Sequence, residues 1–232
     1  FGGLLFFKLL TLLFKQLLVD AVQGGVAGLG IFSQRAGHRR QHGFGIGKGC
    51  LPLLQTLGFG IALCLQGLSA ALGGILSNNW GDGPRGAATV DGDQVYALGA
   101  KGGLICANAG DGKVNWRVEL VKDLGGKVPG WGYTESVLVD GNLILCTPGG
   151  NQGAVAALNK QTGQVAWRSR QFTDGAQYSS IIPVDHNGAR QYIQLTMNSL
   201  VGLDARSGNV LWKSKWGGKT AVIPTPIFIN GN

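Results

Sequence analysis

From about residue 85 onward, short apolar runs recur at an even pace, each bounded by Gly, Asn or Asp. Runs of this length between turn-forming residues predict strands. Four hairpin signals set the phase: Asp91-Gly92-Asp93, Asp140-Gly141-Asn142, Asp185-His186-Asn187-Gly188 and Asn230-Gly231-Asn232. Around them the pattern predicts strands over residues 86–90, 94–98, 104–108 and 113–117, then 135–139, 143–147, 154–158 and 164–168, then 179–184, 192–196, 200–204 and 209–213. Residues 222–229 read as the first strand of a fourth unit, with Asn230-Gly231-Asn232 as its turn. Four consecutive strands in this order make an antiparallel meander with two apolar faces, and only neighbouring meanders can cover both.

A second signal keeps the same time. Asn159-Lys160-Gln161-Thr162-Gly163-Gln164-Val165-Ala166-Trp167 has counterparts in Asn108-Ala109-Gly110-Asp111-Gly112-Lys113-Val114-Asn115-Trp116 and Asp204-Ala205-Arg206-Ser207-Gly208-Asn209-Val210-Leu211-Trp212. In each copy the Asx side chain can bond the turn backbone, Gly supplies a positive φ, and the chain returns as a strand that ends in Trp. Trp116, Trp167 and Trp212 lie 51 and 45 residues apart (167 − 116 and 212 − 167), a period that fits one four-stranded propeller blade. The expected fold is all-β: a partial β-propeller of about three four-stranded antiparallel blades (about 85–117, 134–168 and 178–213) and the first strand of a fourth (221–232). The repeat residues Asn108, Gly112, Trp116, Asn159, Gly163, Trp167, Asp204, Gly208 and Trp212 are read as structural, each Trp filling the space between blades.

Residues 1–79 break from this pattern. Residues 4–19 are rich in Leu and Phe, with Lys8, Thr11 and Lys15 on one helical stripe, as in an interfacial helix. A basic run from Gln34 to Lys48 precedes an uncharged stretch that is long enough to span a bilayer. Two readings follow: a signal or membrane anchor that sends the chain after residue 80 outwards, or a non-native translation joined to residues 80–232. Within it, Gly43-Phe44-Gly45-Ile46-Gly47-Lys48-Gly49 fails as a phosphate loop, since no Ser or Thr follows Lys48 and no strand leads in.

The net charge is +8. Its excess is heaviest in that first third and forms no basic, aromatic-studded face in the repeats, so nucleic acid is excluded as a partner. Cys50, Cys64, Cys106 and Cys146 form no C-x-x-C pair and read as buried free thiols.

The unit over residues 80–232 resembles the pyrroloquinoline-quinone-type (PQQ-like) propeller repeat, whose hallmark is a strand followed by A-L-D-x-x-T-G-x-x-x-W. Asn159 to Trp167 matches with Asn for Asp, Asp204 to Trp212 with Ser for Thr, and Asn108 to Trp116 most loosely. Proteins with this repeat include quinoprotein alcohol dehydrogenases, the propeller lipoprotein of the outer-membrane assembly machinery, and exported bacterial propellers of unassigned role. The segments between blades are most similar to the last group. The resemblance implies six to eight blades, so the chain resembles a fragment of a ring, in an exported, periplasmic protein that is membrane-anchored on the anchor reading of residues 1–79.

Two functions are weighed on that basis. A PQQ-dependent dehydrogenase resembles its family only if it brings an acidic calcium site, a catalytic Asp and often adjacent cysteines. This chain has no Cys-Cys pair, Asp91, Asp140 and Asp185 open hairpins, and Glu119, Asp123 and Glu135 have no spacing that gathers them on one ion. The preferred reading is a binding or scaffold module for protein or small-ligand recognition, with no catalytic residue, no metal and no cofactor of its own; PQQ with calcium belongs only to the enzyme reading. His186 reads as a turn residue, and His38 and His42 lack a third ligand. The segments that lead into each first strand would face the mouth of a propeller's channel. They carry Arg85, Trp131, Tyr133, Glu135, Tyr178, Ser179, Ser180 and Lys219, the ligand-binding candidates, with packing of the blades as the alternative role. Trp131 and Tyr133 stand out, because loop aromatics on a rigid scaffold mark recognition surfaces.

Overall fold

The computed structural model describes residues 72–74, 76–78, 81–82, 85–229 and 231. The anchor and mistranslation readings of residues 1–79 fall almost wholly outside them, as do Cys50, Cys64, His38 and His42. A short ladder pairs β1 (Ser77–Asn78) with β2 (Gly81–Asp82). The rest forms three four-stranded antiparallel sheets, each a meander in chain order. The first contains β3 (Thr89–Asp91), β4 (Gln94–Leu98), β5 (Gly103–Asn108) and β6 (Val114–Glu119). The second contains β7 (Leu138–Asp140), β8 (Leu143–Cys146), β9 (Ala156–Asn159) and β10 (Val165–Arg168). The third contains β11 (Ile182–His186), β12 (Ala189–Leu195), β13 (Ser199–Asp204) and β14 (Val210–Lys215).

The repeat motif forms the same turn three times. The side-chain oxygen of Asn108, Asn159 and Asp204 accepts two backbone N–H groups, from Gly110 and Asp111, Gln161 and Thr162, and Arg206 and Ser207. Gly112, Gly163 and Gly208 follow with φ of +72°, +71° and +72°, where a side chain would be strained. Each fourth strand then carries one extra residue before its tryptophan, at Asn115, Ala166 and Leu211. Such a bulge re-aims the side chain that follows it.

That aim is across the blade boundary. The Trp116 indole N–H donates to the Lys160 carbonyl of the second blade (2.9 Å), and Trp167 donates to the Ala205 carbonyl of the third (3.2 Å). The rings rest on the turn glycines: a Cβ built on Gly163 would lie 2.9 Å from the Trp116 ring, and one on Gly208 would lie 2.3 Å from Trp167. Trp212 instead bonds Gln191 of its own blade (2.8 Å) and stays 37% exposed.

The core follows the two-residue period of the strands. On β8, Ile144 and Cys146 join Tyr96, Leu98, Leu104 and Cys106 between the first two blades. Leu145, facing the other way, joins Tyr192, Val201 and Leu203 between the second and third. Both faces of the middle blade are thus covered, which explains its unbroken apolar run. Cys106 and Cys146 are buried free thiols.

The first strands differ from expectation. They begin at Thr89, Leu138 and Ile182 rather than at residues 86, 135 and 179, because the preceding backbone bonds sideways to the next blade. Ala87 N donates to Ser136 Oγ (3.1 Å), Ser136 N to Ser180 Oγ (3.0 Å), and Ser180 N to Thr225 Oγ1 (3.5 Å). These residues occupy one repeat position, so a line of hydroxyl clasps joins the blades. Residues 222–229, expected as a first strand, form no ladder among the described residues, and Pro224 and Pro226 have no N–H to give. They are held by Thr225 in that line and by Val222, whose carbonyl accepts Tyr178 N (3.1 Å).

Candidate functional site

In an antiparallel meander the lead-in to the first strand and the turn between the second and third lie at the same end of the sheet. The lead-in segments therefore gather at one end of the three blades, with the Asx turns at the other. Trp131 and Tyr178 meet there: both are half-buried, their ring centroids are 5.6 Å apart at 51°, and Trp131 N donates to the Tyr178 hydroxyl (3.3 Å). The Thr134 hydroxyl fixes the Tyr178 backbone by donating to its carbonyl (3.2 Å). An aromatic pair held by two adjacent lead-ins is a rigid, partly open platform.

The other candidates separate into different roles. Tyr133 is buried and donates its hydroxyl to the Pro148 carbonyl (2.9 Å); burial and the nearby Glu135 carboxylate push its pKa well up. Ser179 is buried, and its carbonyl accepts from Gln194 Nε2 (3.3 Å). Ser180 belongs to the hydroxyl line. Arg85 is half-buried and Lys219 is exposed. Tyr133, Glu135 and Ser179 are buried, and Trp131 and Tyr178 are the only pair of candidates in ring contact among the described residues.

Glu135 is the centre of a buried polar network that the sequence reading missed. Its carboxylate accepts from Thr147 N (2.5 Å) and from the Thr147 hydroxyl (2.8 Å), and that hydroxyl in turn accepts from Gln194 Nε2 (2.6 Å) on the third blade. Desolvation raises the Glu135 pKa to about 7, against which the two Thr147 hydrogen bonds pull it down. Full burial, and after it the same carboxylate, raise the Cys146 thiol. A second cluster lies nearby, where Asp174 accepts from the buried Thr196 (2.6 Å) and Ser199 (2.8 Å) hydroxyls. The sequence did carry a signal for the hydroxyl line, since Ser136, Ser180 and Thr225 recur in step with the tryptophans. It carried none for Glu135, whose counterparts in the first and third blades are Gly86 and Ser179.

The family model for the outer membrane protein assembly factor BamB matches residues 65–222, more than half of the chain. The chain belongs to the BamB family. It is a PQQ-like β-propeller repeat protein. No curated protein matches the sequence. Among solved structures, the chain is similar to BamB from Moraxella catarrhalis at 17% identity and a TM-score of 0.47, over 63% of this chain and 41% of that one. It is also similar to the computationally designed Ika8 protein (13%, TM-score 0.42, 62% of this chain and 39% of that one). A third is quinohemoprotein alcohol dehydrogenase from Comamonas testosteroni (15%, TM-score 0.40, 63% and 28%). The chain thus spans about 41% of the length of the Moraxella BamB. Among the described residues no three His, Cys, Asp or Glu side chains are placed to hold a metal ion.

Proposed function

We propose that this BamB-family chain is a non-catalytic, extracytoplasmic recognition scaffold in outer-membrane protein assembly, and that its partner is a protein which docks on the lead-in end of the blades. The observation that carries this reading is the family match over residues 65–222. The Trp131–Tyr178 platform supports the choice of surface, since aromatic side chains held by rigid loops dominate binding energy at protein interfaces. The first third would deliver the propeller across the inner membrane as a signal or anchor.

A photo-crosslinking residue placed at Trp131 in cells tests this directly. Crosslinks to a component of the outer-membrane assembly machinery are expected from position 131, with none from the exposed Val165 on β10. Equal crosslinking from both positions would remove the assigned surface. Calcium-dependent alcohol oxidation by the protein reconstituted with quinone would overturn the non-catalytic reading.

A further inference from the structure

The internal repeat serves as its own control: where two blade junctions share a backbone but differ in side chains, the difference marks what the fold does not require. At the Asx-turn end, the first and second blades enclose a half-open cleft of about 430 Å³ lined by Asp91, Gln94, Tyr96, Asn115, Lys160 and Gln161. The matching positions at the next junction carry Leu143 for Gln94, Ala166 for Asn115 and Ala205 for Lys160. There, Arg190 spans to Asp140, which also accepts from the Tyr192 hydroxyl (2.9 Å). The fold therefore tolerates apolar side chains at the very positions where the first junction is polar.

The polar groups are arranged in a definite way. Asn115 Nδ2 donates to Gln94 Oε1 (2.6 Å), and the Cys106 thiol donates to the same oxygen (3.1 Å). This locks the two amides and leaves Gln94 Nε2 and Asn115 Oδ1 without partners among the described residues, one a donor and the other an acceptor. The Gln161 amide adds both kinds at the turn. Lys160 and Asp91 neutralise each other (2.7 Å), so the cleft presents no net charge from its lining. Tyr96 and Trp116 donate their polar hydrogens to the Lys160 carbonyl, and Tyr96 lies buried at the back of the cleft.

We infer that this inter-blade cleft binds a neutral saccharide bearing a secondary amide, an N-acetylated amino sugar. The acetamido C=O takes Gln94 Nε2–H, its N–H reaches Asn115 Oδ1, and ring hydroxyls, each both donor and acceptor, meet Gln161 and the Asp91–Lys160 pair. A peptide offers the same amide chemistry without the ring hydroxyls that Gln161 and the Asp91–Lys160 pair are placed to meet. The site lies at the opposite end of the blades from Trp131, so its failure and the failure of the scaffold reading are separable.

The test is titration of the full chain with tri-N-acetylchitotriose, monitored by isothermal calorimetry, with cellotriose and a blocked trialanine peptide as competitors. Saturable chitotriose binding is expected, weakened at least tenfold by Gln94→Leu or by Asn115→Ala. These variants install the side chains that the second blade already carries, so the fold accommodates them, and circular dichroism melts verify it. Lys122→Ala, at the other end of the sheet, should leave binding unchanged. Absence of saturable binding, indifference to both cleft substitutions, equal affinity for cellotriose, or equal displacement by the peptide would each overturn the inference.

Discussion

Replacing Glu135 by Gln should remove a pH dependence that the fold carries in its interior. The carboxyl is buried, no cationic side chain among the described residues is hydrogen-bonded to it, and burial raises its pKa to about 7 against an ordinary 4.5. The native state therefore prefers the protonated form. The resulting stability is fully present below the unfolded value near 4.5 and is lost as pH rises through about 7. At about 1.36 kcal/mol per pKa unit the loss is on the order of 3 kcal/mol, or a fall in Tm of about 6–12 °C. Asp140 works in the opposite sense: Arg190 holds its pKa down, so its contribution is present above the ordinary value near 3.8 and disappears only at lower pH, outside this window. Urea and thermal melts of the full chain at pH 5 and pH 8 should show the wild type losing stability at the higher pH. Glu135→Gln mimics the protonated acid, can still accept from Thr147 N, and should be flat across the same range and more stable than wild type at pH 8. A wild type equally stable at both values, or a Gln variant with the wild-type slope, would refute the argument.

Two further outcomes rest on the blade junctions. Gly208→Ala should cost clearly more than Gly141→Ala in urea melts: both have positive φ, worth about 1–2 kcal/mol, but only at Gly208 does the new methyl meet the Trp167 ring, while Gly141 faces open space; equal costs would remove the ring contact as a cause. Trp167→Ala should destabilise by about 3 kcal/mol and Trp212→Ala by less than half of that, because Trp167 docks on the next blade while Trp212 bonds within its own and is exposed; a larger loss at Trp212, read from the same melts, would contradict the docking.

The fold was legible because its information is local. An Asx residue, a glycine with positive φ and a tryptophan after a bulge are set by contacts within ten residues or so, and their three repetitions carry the period, the blades and the family resemblance in the residue order itself. What the chain does to its neighbours was not local. Gly163 and Gly208 are needed twice, once for φ and once because a tryptophan from the preceding blade rests on them; only the packing of blades reveals the second reason.

The candidate site divides in the same way. Sequence placed Trp131, Tyr133, Glu135 and Tyr178 on the segments that lead into the first strands. It could not say that backbone spent on hydroxyl clasps would delay those strands, nor that Tyr133 and Glu135 would turn inward while Trp131 and Tyr178 met at the surface. The clasps and the aromatic pair depend on atoms 44 and 47 residues away in the chain, and the inward turn of Tyr133 and Glu135 on Pro148 and Thr147, 15 and 12 residues on. Residue order determines which turns can form; which side chains are left facing water is decided only when one blade closes over the next.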